Sequence, residues 1–314
     1  MIRALSRAAL AVLALALFAT PPLHGQHGEN GKSPVPEEDY GKWESLGQPS
    51  LSPDGTWLAA SISRVDGDPE LRIRPVSNPD SVVIVPNGGG AVFTDDSRRL
   101  LYRIGVGEDE REAMQRRNEP VRNAMGILDL QTGEQTEVPA VASFVASPDG
   151  RYVILRQYAP SGERDARGVD IVVHEFDTGV RVPFGGVAEY AWQDDTNRLA
   201  MLIDAEGMTG NGVMLWDAAS GRIQPVHTDA ARFSRLSWRD DSGDLAFMEE
   251  IATDAAGEDA WADTTWVVHV VRDASDDGRA HMALGTDMAG FPEGYRVAGW
   301  GGFDWSEDGT RMSV

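Results

Sequence analysis

The side chains that most often perform covalent catalysis are absent from this 314-residue sequence or stand at the wrong spacing. The chain has no cysteine, which excludes thiol nucleophiles, disulfides and thiolate metal sites. A serine nucleophile of the α/β-hydrolase type lies in Gly-x-Ser-x-Gly, because both glycines relieve crowding at a strained turn. Only Ser33 has a glycine two residues before it, and Val35 stands where the second glycine is needed. The sequence therefore predicts no catalytic residue in this chain.

The six histidines show no spacing typical of a metal site or of a catalytic base. His174 and His269 lie in apolar runs that we predict to be strands, where packing explains them. His227 and His281 are isolated from each other in polar stretches, and His24 and His27 flank the predicted cleavage region and form no ligand set with nearby carboxylates. Pairs of adjacent aspartates lack the alternating oxygen spacing of a calcium loop and are typical of turns. We predict no metal-binding residue, no cofactor-binding residue and no cofactor.

Composition and charge indicate a globular, acidic protein. Apolar residues make up 41% of the chain and charged residues 25%, which excludes a disordered or fibrous chain. The formal net charge of −22 would repel a phosphate backbone, so nucleic acid is not an expected partner.

Residues 1–25 are predicted to be a secretory signal peptide. Arg3 and Arg7 precede an uninterrupted apolar run at 8–19, and a proline pair with small residues follows it. Such a run rises only about 18 Å in a helix, too short for a hydrocarbon core of about 30 Å. We therefore expect a periplasmic or extracellular protein without a membrane anchor, in which residues 26–42, rich in proline and acids, form a polar linker.

One turn pattern recurs six times in the rest of the chain. Each copy has an apolar or aromatic residue, a turn rich in aspartate and glycine, a polar residue and an apolar run. The copies are the segments 51–58, 93–100, 146–153, 192–199, 238–245 and 305–312. Asp-Gly closes a tight hairpin between two strands because both residues tolerate positive φ. A second turn follows strands that end in aspartate, at 128–134, 175–180 and 216–222.

These turns predict an all-β fold over residues 43–314. Two hairpins in roughly 46 residues give four short strands per repeat, which is the signature of a β-propeller blade. We expect a β-propeller of four-stranded blades with about six blades visible and an incomplete ring. A β-sandwich or a β-solenoid is the alternative, but these repeats exceed solenoid coils in length, and a sandwich does not need one hairpin six times.

Other segments fit this scheme as excursions or as packing residues. The stretch 108–118 has helix-forming composition and is expected to be a long-loop excursion between strands. The polar stretches 254–264 and 273–285 are expected to be similar excursions. Six tryptophans near the hairpins are predicted to pack between blades: Trp43, Trp57, Trp192, Trp216, Trp238 and Trp305.

Some longer strings stand apart from the generic hairpins. They are Trp43-Glu44-Ser45-Leu46-Gly47, Leu51-Ser52-Pro53-Asp54-Gly55-Thr56-Trp57-Leu58-Ala59, Gly126-Ile127-Leu128-Asp129-Leu130-Gln131-Thr132-Gly133, Val187-Ala188-Glu189-Tyr190-Ala191-Trp192, Asp204-Ala205-Glu206-Gly207 and Gly210-Asn211-Gly212-Val213. Together they resemble the propeller of secreted serine peptidases of the prolyl oligopeptidase family, over about residues 40–314. The Ser-Pro-Asp-Gly hairpins alone are shared with TolB-like propellers, so the longer strings carry the resemblance.

The resemblance implies a role in a larger enzyme. In that family a propeller precedes an α/β-hydrolase domain and limits access to a Ser-Asp-His triad. This chain is then expected to be the N-terminal, substrate-gating part of an exported serine peptidase that hydrolyses peptides. Since the sixth hairpin has barely begun its return strand at residue 314, we expect the hydrolase domain, as the partner of this chain, beyond that residue. The alternative is a non-catalytic TolB-like periplasmic propeller that binds a protein or peptide partner.

Glu249 and Glu250 form an acidic pair after an apolar run. Dipeptidyl-peptidase members of the same family hold a substrate's free amino terminus with an acidic pair of their propeller, through an ion pair in a water-poor cavity. The residues around Glu249 do not match the motif that carries that pair, so this role is not assigned to it.

Overall fold

The computed structural model describes six segments of the chain: 35–162, 167–194, 196–251, 265–276, 279–293 and 295–314. The predicted signal peptide, 1–25, lies outside them, and the described end of the predicted linker contains a 3-10 helix at Glu37–Lys42. Residue contacts divide the chain into residues 1–43 and residues 44–314, and every described strand belongs to the second unit. In the described segments no helix is both long enough and apolar enough to cross a membrane.

Short strands and tight turns produce antiparallel sheets along the described part of 44–314. The first sheet contains β1 (Glu44–Leu46), β2 (Ser50–Leu51), β3 (Trp57–Arg64), β4 (Glu70–Pro75) and β5 (Val83–Pro86), with β1 and β2 both paired to β3. The second sheet contains β6 (Gly88–Phe93), β7 (Arg99–Ile104), β8 (Ala124–Asp129) and β9 (Gln135–Val138).

Seven strands form a continuous third sheet that combines two four-stranded units. They are β10 (Val141–Ala146), β11 (Tyr152–Gln157), β12 (Val169–Glu175), β13 (Arg181–Trp192), β14 (Arg198–Ile203), β15 (Gly212–Asp217) and β16 (Arg222–Thr228). Strand β13 belongs to both units, because its first half pairs with β12 and its second half pairs with β14. Between the two halves stand Gly185 and Gly186, and Gly186 has a φ of 65° that favours glycine.

The last four-stranded sheet contains β17 (Phe233–Trp238), β18 (Leu245–Ile251), β19 (Thr265–Val271) and β20 (His281–Leu284). The hairpin of β21 (Asp304–Trp305) and β22 (Met312–Ser313) follows it. We number the resulting blades one (β1–β5), two (β6–β9), three (β10–β13), four (β13–β16) and five (β17–β20). Within the described segments no ladder joins blade one to the final hairpin, so strand pairing does not close a ring there.

Apolar clusters join each blade to the next one. Leu71 of blade one packs in one cluster with Leu100 and Tyr102 of blade two. Leu101, between those two residues, packs instead in a cluster with Val153 of blade three. Because strand residues point alternately to the two faces of a sheet, each inner blade contributes to two clusters. Four-stranded meanders stacked in this way confirm the predicted all-β, β-propeller class. They are not the arrangement expected for a β-sandwich or a β-solenoid.

All six predicted aspartate-rich hairpins form. They are the connections β2–β3, β6–β7, β10–β11, β13–β14, β17–β18 and β21–β22. The three predicted intermediate turns form as well, between β8 and β9, β12 and β13, and β15 and β16. At two of the tips, Gly55 and Gly150 have φ values of 73° and 71°, which explains why Asp-Gly is placed there.

A hydroxyl organises four of these hairpins, and it belongs to a buried residue in three of them, at Ser52, Thr94 and Ser147. The sequence pattern did not predict this feature. In the third hairpin Ser147 Oγ donates a hydrogen bond to Asp149 Oδ1 at 2.7 Å and accepts one from the Tyr152 amide at 2.9 Å. The same pair of bonds recurs at Ser52, Thr94 and Ser306. The aspartate therefore orients the hydroxyl, and the hydroxyl binds the backbone amide at or just before the start of the return strand.

Two expectations need correction. The stretch 273–285 is not only a loop excursion, because its apolar end forms β20 and pairs with β19. Trp43 does not pack between blades: it is 56% exposed and contacts the edge of Tyr40. The other five tryptophans do join the inter-blade clusters, as predicted: Trp57, Trp192, Trp216, Trp238 and Trp305.

The predicted excursion at 108–118 contains the helix α1 (Glu108–Arg116). Its first turn carries Glu108, Asp109 and Glu110, and its last turn carries Arg116, in the order that a helix dipole favours. The stretch 254–264 lies outside the described segments.

Candidate functional site

Three histidines and a glutamate meet where blades four and five pack together. His227 lies on β16 of blade four, and Glu249, His269 and His281 lie on β18, β19 and β20 of blade five. We call these four residues the histidine cluster. The side chains belong to four different strands, so the packing of two blades is needed to assemble them.

The strand register of blade five explains why three members of the cluster share one face. Phe247 pairs with His269, and Val271 pairs with His281, and directly opposed residues in an antiparallel ladder point to the same side. Alternate residues along a strand also share a side, which adds Glu249 to Phe247. Phe247 and Val271 belong to the apolar cluster that packs against blade four. Glu249, His269 and His281 therefore lie on the same face of blade five as the apolar residues that pack against blade four.

The histidine cluster is one continuous hydrogen-bonded chain. Nε2 of His269 lies 2.8 Å from Oε2 of Glu249, and Nδ1 of His269 lies 2.8 Å from Nε2 of His281. Nε2 of His227 lies 3.1 Å from the same Glu249 oxygen. A neutral imidazole has one N–H, so His269 donates through only one of its nitrogens. When Glu249 is ionised, His269 donates to it through Nε2 and accepts at Nδ1 from the N–H of His281.

The cluster runs from the core to the surface. The side chains of His269 and Glu249 are 5% and 8% exposed, and that of His227 is 23% exposed. The ring of Phe247 stacks on that of His269, with centroids 4.8 Å apart and planes 7° apart. His281 is exposed on β20, the edge strand of blade five. The buried end of the histidine cluster, at His269, is packed against Phe247, and its other end, at His281, reaches water.

Burial sets the protonation states. Burial, assisted by the charges of His227 and His281, lowers the pKa of His269 to about 3. His281 is exposed as a whole residue, but the partial burial of its ring against His269, followed by the charges of His227 and Arg279, lowers its pKa. Burial raises the pKa of Glu249, although His227 opposes the change. His269 is therefore neutral at neutral pH, the form in which an imidazole can accept a hydrogen bond or bind a metal.

This arrangement has two chemical capacities. Imidazoles hydrogen-bonded in series to a carboxylate can relay a proton between the buried end and the surface. One ligand atom from each of His227, His269 and His281 also lies within 4.8 Å of the others, close enough to share a metal ion. A second group of that kind consists of His227, Asp229 and Glu249.

A cleft of about 490 Å³ opens beside the cluster. Its lining includes Asp229, Arg232, Glu249 and Glu250. Glu249 is bound to His227 and His269, so its carboxylate is committed to the histidine cluster. Of the acidic pair in the sequence, Glu249 therefore belongs to both the histidine cluster and the cleft, and Glu250 lines the cleft only.

The positions of the histidines in the sequence do not reveal the cluster. Its hydrogen-bonded pairs are separated by 12 to 22 residues in sequence. His174 lies in blade three, with its ring centroid 5.7 Å from that of Phe176, and His24 and His27 lie outside the described segments. A usable signal was present, because Glu249 and His269 interrupt the apolar, inward-facing positions of two adjacent strands.

Comparison with known proteins leaves the family of this chain open. No protein-family model matches it, and no curated protein matches it. Among solved structures it is similar to the β-propeller domain of the Trilobed protease from Pyrococcus furiosus, with 10% identity and a TM-score of 0.44, covering 79% of this chain and 72% of that one.

Two further solved structures extend the comparison. One is a prolyl endopeptidase, with 16% identity and a TM-score of 0.43, covering 77% of this chain and 42% of that one. The other is hydrazine synthase from Kuenenia stuttgartiensis, with 15% identity and a TM-score of 0.41, covering 91% and 76%. The chain spans less than half the length of the endopeptidase, and neither activity nor family follows from these likenesses.

Proposed function

We propose that this chain is the substrate-admitting β-propeller of an exported serine peptidase whose Ser-Asp-His triad lies in an α/β-hydrolase domain after residue 314. The observation that supports this proposal is the place of the family-like strings in the fold. Four of the six strings, 51–59, 126–133, 187–192 and 210–213, contribute residues to the apolar clusters that join one blade to the next. The strings that resemble the peptidase propellers therefore include residues that hold neighbouring blades together.

Two of these strings illustrate the point. The string 187–192 is the second half of β13, the part of the shared strand that pairs with blade four. In the string 210–213, the side chain of Asn211 accepts a hydrogen bond from the Ala205 amide and donates one to the Ala231 carbonyl, each at 2.8 Å. Asn211 is 1% exposed, so these two bonds connect the turn after β14 to the segment that leads into blade five.

In the proposed enzyme the propeller selects substrates by size and position. Acyl transfer needs a serine activated by histidine and an oxyanion hole, and these groups come from the hydrolase domain. The blades exclude large folded proteins from that domain and admit peptides, which favours cleavage of short or unfolded chains. This chain alone contributes no nucleophile.

Sequencing the gene past the codon for Val314 tests the proposal. We expect about 250 further residues that complete the propeller and contain Gly-x-Ser-x-Gly, then an aspartate, then a histidine, in that order. A stop codon after one closing blade would show that the proposal is wrong and that the protein is a non-catalytic, TolB-like binding module.

A further inference from the structure

We propose that His227, His269 and His281 bind a divalent transition-metal ion of the zinc class, and that Glu249 positions His269 as its hydrogen-bond partner. The side chains are already in contact, and they come from two blades. The proposal does not depend on the peptidase role, because it concerns only residues within this chain.

The donor set selects the class of metal. Three imidazoles with an open fourth position are an established ligand set for zinc, and imidazole also suits copper, iron and nickel. Calcium and magnesium prefer six or more oxygen ligands and are disfavoured by three nitrogen donors. The chain has no thiol that could compete for the ion. The expected ion is therefore a borderline-soft divalent cation, for which Zn²⁺ is the natural probe.

Glu249 is the carboxylate that hydrogen-bonds to a metal-bound histidine in sites of this kind. A metal-bound histidine usually donates its second N–H to a carboxylate, which fixes the tautomer and the ring orientation. The 2.8 Å contact between Nε2 of His269 and Oε2 of Glu249 has this geometry. It leaves Nδ1 of His269 directed at Nε2 of His281, 2.8 Å away, where a metal ion can replace the shared proton.

His227 is close enough to supply the third ligand, and only a small movement of His281 is needed to admit the metal ion. The ring centroid of His227 lies 4.6 Å from that of His269 and 5.3 Å from that of His281. Two nitrogens bound tetrahedrally at about 2.1 Å from a metal lie about 3.4 Å apart, so the hydrogen-bonded nitrogens must separate by roughly 0.6 Å. His281 is exposed on an edge strand and can make that movement, whereas Phe247 and Glu249 hold His269 in place.

Zinc titration of the metal-free full chain tests the proposal. The background carries His24→Gln and His27→Gln, so that the two histidines outside the described segments cannot contribute. Calorimetry is expected to show one equivalent of bound Zn²⁺. His281→Gln is expected to weaken binding by more than the roughly 10- to 100-fold loss typical of an outer-shell change. His174→Gln is the matched control and is expected to leave the affinity within about twofold of the parent, because it alters a histidine of another blade.

A second variant tests the positioning role of Glu249. Glu249→Gln is expected to weaken Zn²⁺ binding about 10- to 100-fold while the stoichiometry stays at one, because the amide can still accept from His269. Co²⁺ bound to the parent is expected to give the intense visible absorption of a tetrahedral site, and His281→Gln is expected to abolish it. Circular dichroism verifies that each variant is folded. The absence of a saturable equivalent in the parent, or parent-like affinity in His281→Gln, would overturn the proposal.

Discussion

Replacing Asp244 by alanine is expected to lower the free energy of unfolding by about 3 kcal/mol, because it removes one side of a buried ion-pair network. The Asp244 side chain is 6% exposed, and its Oδ2 lies 2.6 Å from Arg272 Nη1 and 3.0 Å from Arg239 Nε. Its Oδ1 accepts a hydrogen bond from the Asp273 amide at 3.1 Å. The two arginines are only partly exposed and lose their partner in the variant.

The effect of Asp244 extends beyond its own blade. Arg272, which Asp244 orients, donates through Nη2 to the Gly309 carbonyl at 2.7 Å and lies over the ring of Trp305. The network therefore ties blade five to the hairpin of β21 and β22. Urea unfolding measures the loss, and Asp240→Ala is the matched control, since Asp240 is an exposed residue of the same turn. That control is expected to change the unfolding free energy by less than about 0.5 kcal/mol. Equal effects of the two variants would contradict this account.

Acid titration provides an independent measurement on the same residue. Burial by itself would raise the pKa of Asp244, but hydrogen bonds from Arg272, the Asp273 amide and Arg239 outweigh it and lower the pKa below the ordinary value of 3.8. A carboxyl whose pKa is lower in the folded state stabilises the fold above its unfolded pKa. The contribution is lost as the pH falls below 3.8 toward the folded value. Asp244→Asn is expected to flatten this part of the stability curve.

Gly168→Ala is expected to destabilise the protein by about 3 kcal/mol or more, because the added methyl group has no space. Its Cβ would overlap the carbonyl oxygens of Gly186 and Asp204, which are backbone atoms of the region where β13 leaves blade three for blade four. Those atoms are fixed by a 2.8 Å hydrogen bond from the Asp204 amide to the Gly186 carbonyl and cannot move independently. The variant therefore has to displace the strand shared by the two blades.

Gly185→Ala is the matched control for that variant. A Cβ at Gly185 meets only Asp170 Oδ1, at 3.5 Å, which is an ordinary contact. Its expected effect is within about 1 kcal/mol, the usual cost of small changes in a strand. Thermal and urea unfolding of both variants measure the difference. Similar losses in the two variants would indicate that glycine flexibility, and not the crowding at Gly168, matters in this segment.

The sequence predicted the blades well because their signals are local. A hairpin is specified by a few neighbouring residues, so Asp54-Gly55 or Asp149-Gly150 can be recognised without knowledge of the rest of the chain. The role of Ser147 is equally local, but the pattern identifies only aspartate and glycine as turn-forming residues and does not show the bond from the hydroxyl to the Tyr152 amide. Strand β20 was missed because only its short apolar end, after a polar stretch, pairs with β19.

The histidine cluster could not be predicted in the same way. Its geometry depends on the register of three strands in blade five and on the position of β16 in blade four. A shift of one residue in any of these ladders would turn His269 or Glu249 to the opposite face. What the sequence did contain was a polar residue at an inward-facing strand position, at Glu249 and again at His269. Such interruptions of an apolar face are worth testing for mutual contact.

The proposed function assigns this propeller to a serine hydrolase whose reactive serine lies outside residues 1–314. The most direct measurement is fluorophosphonate labelling of the protein made from the complete gene, beside the 314-residue chain expressed alone. We predict that the complete protein is labelled at a serine after residue 314 and that the 314-residue chain is not labelled. Labelling within residues 1–314, or no labelling of the complete protein, would contradict the account.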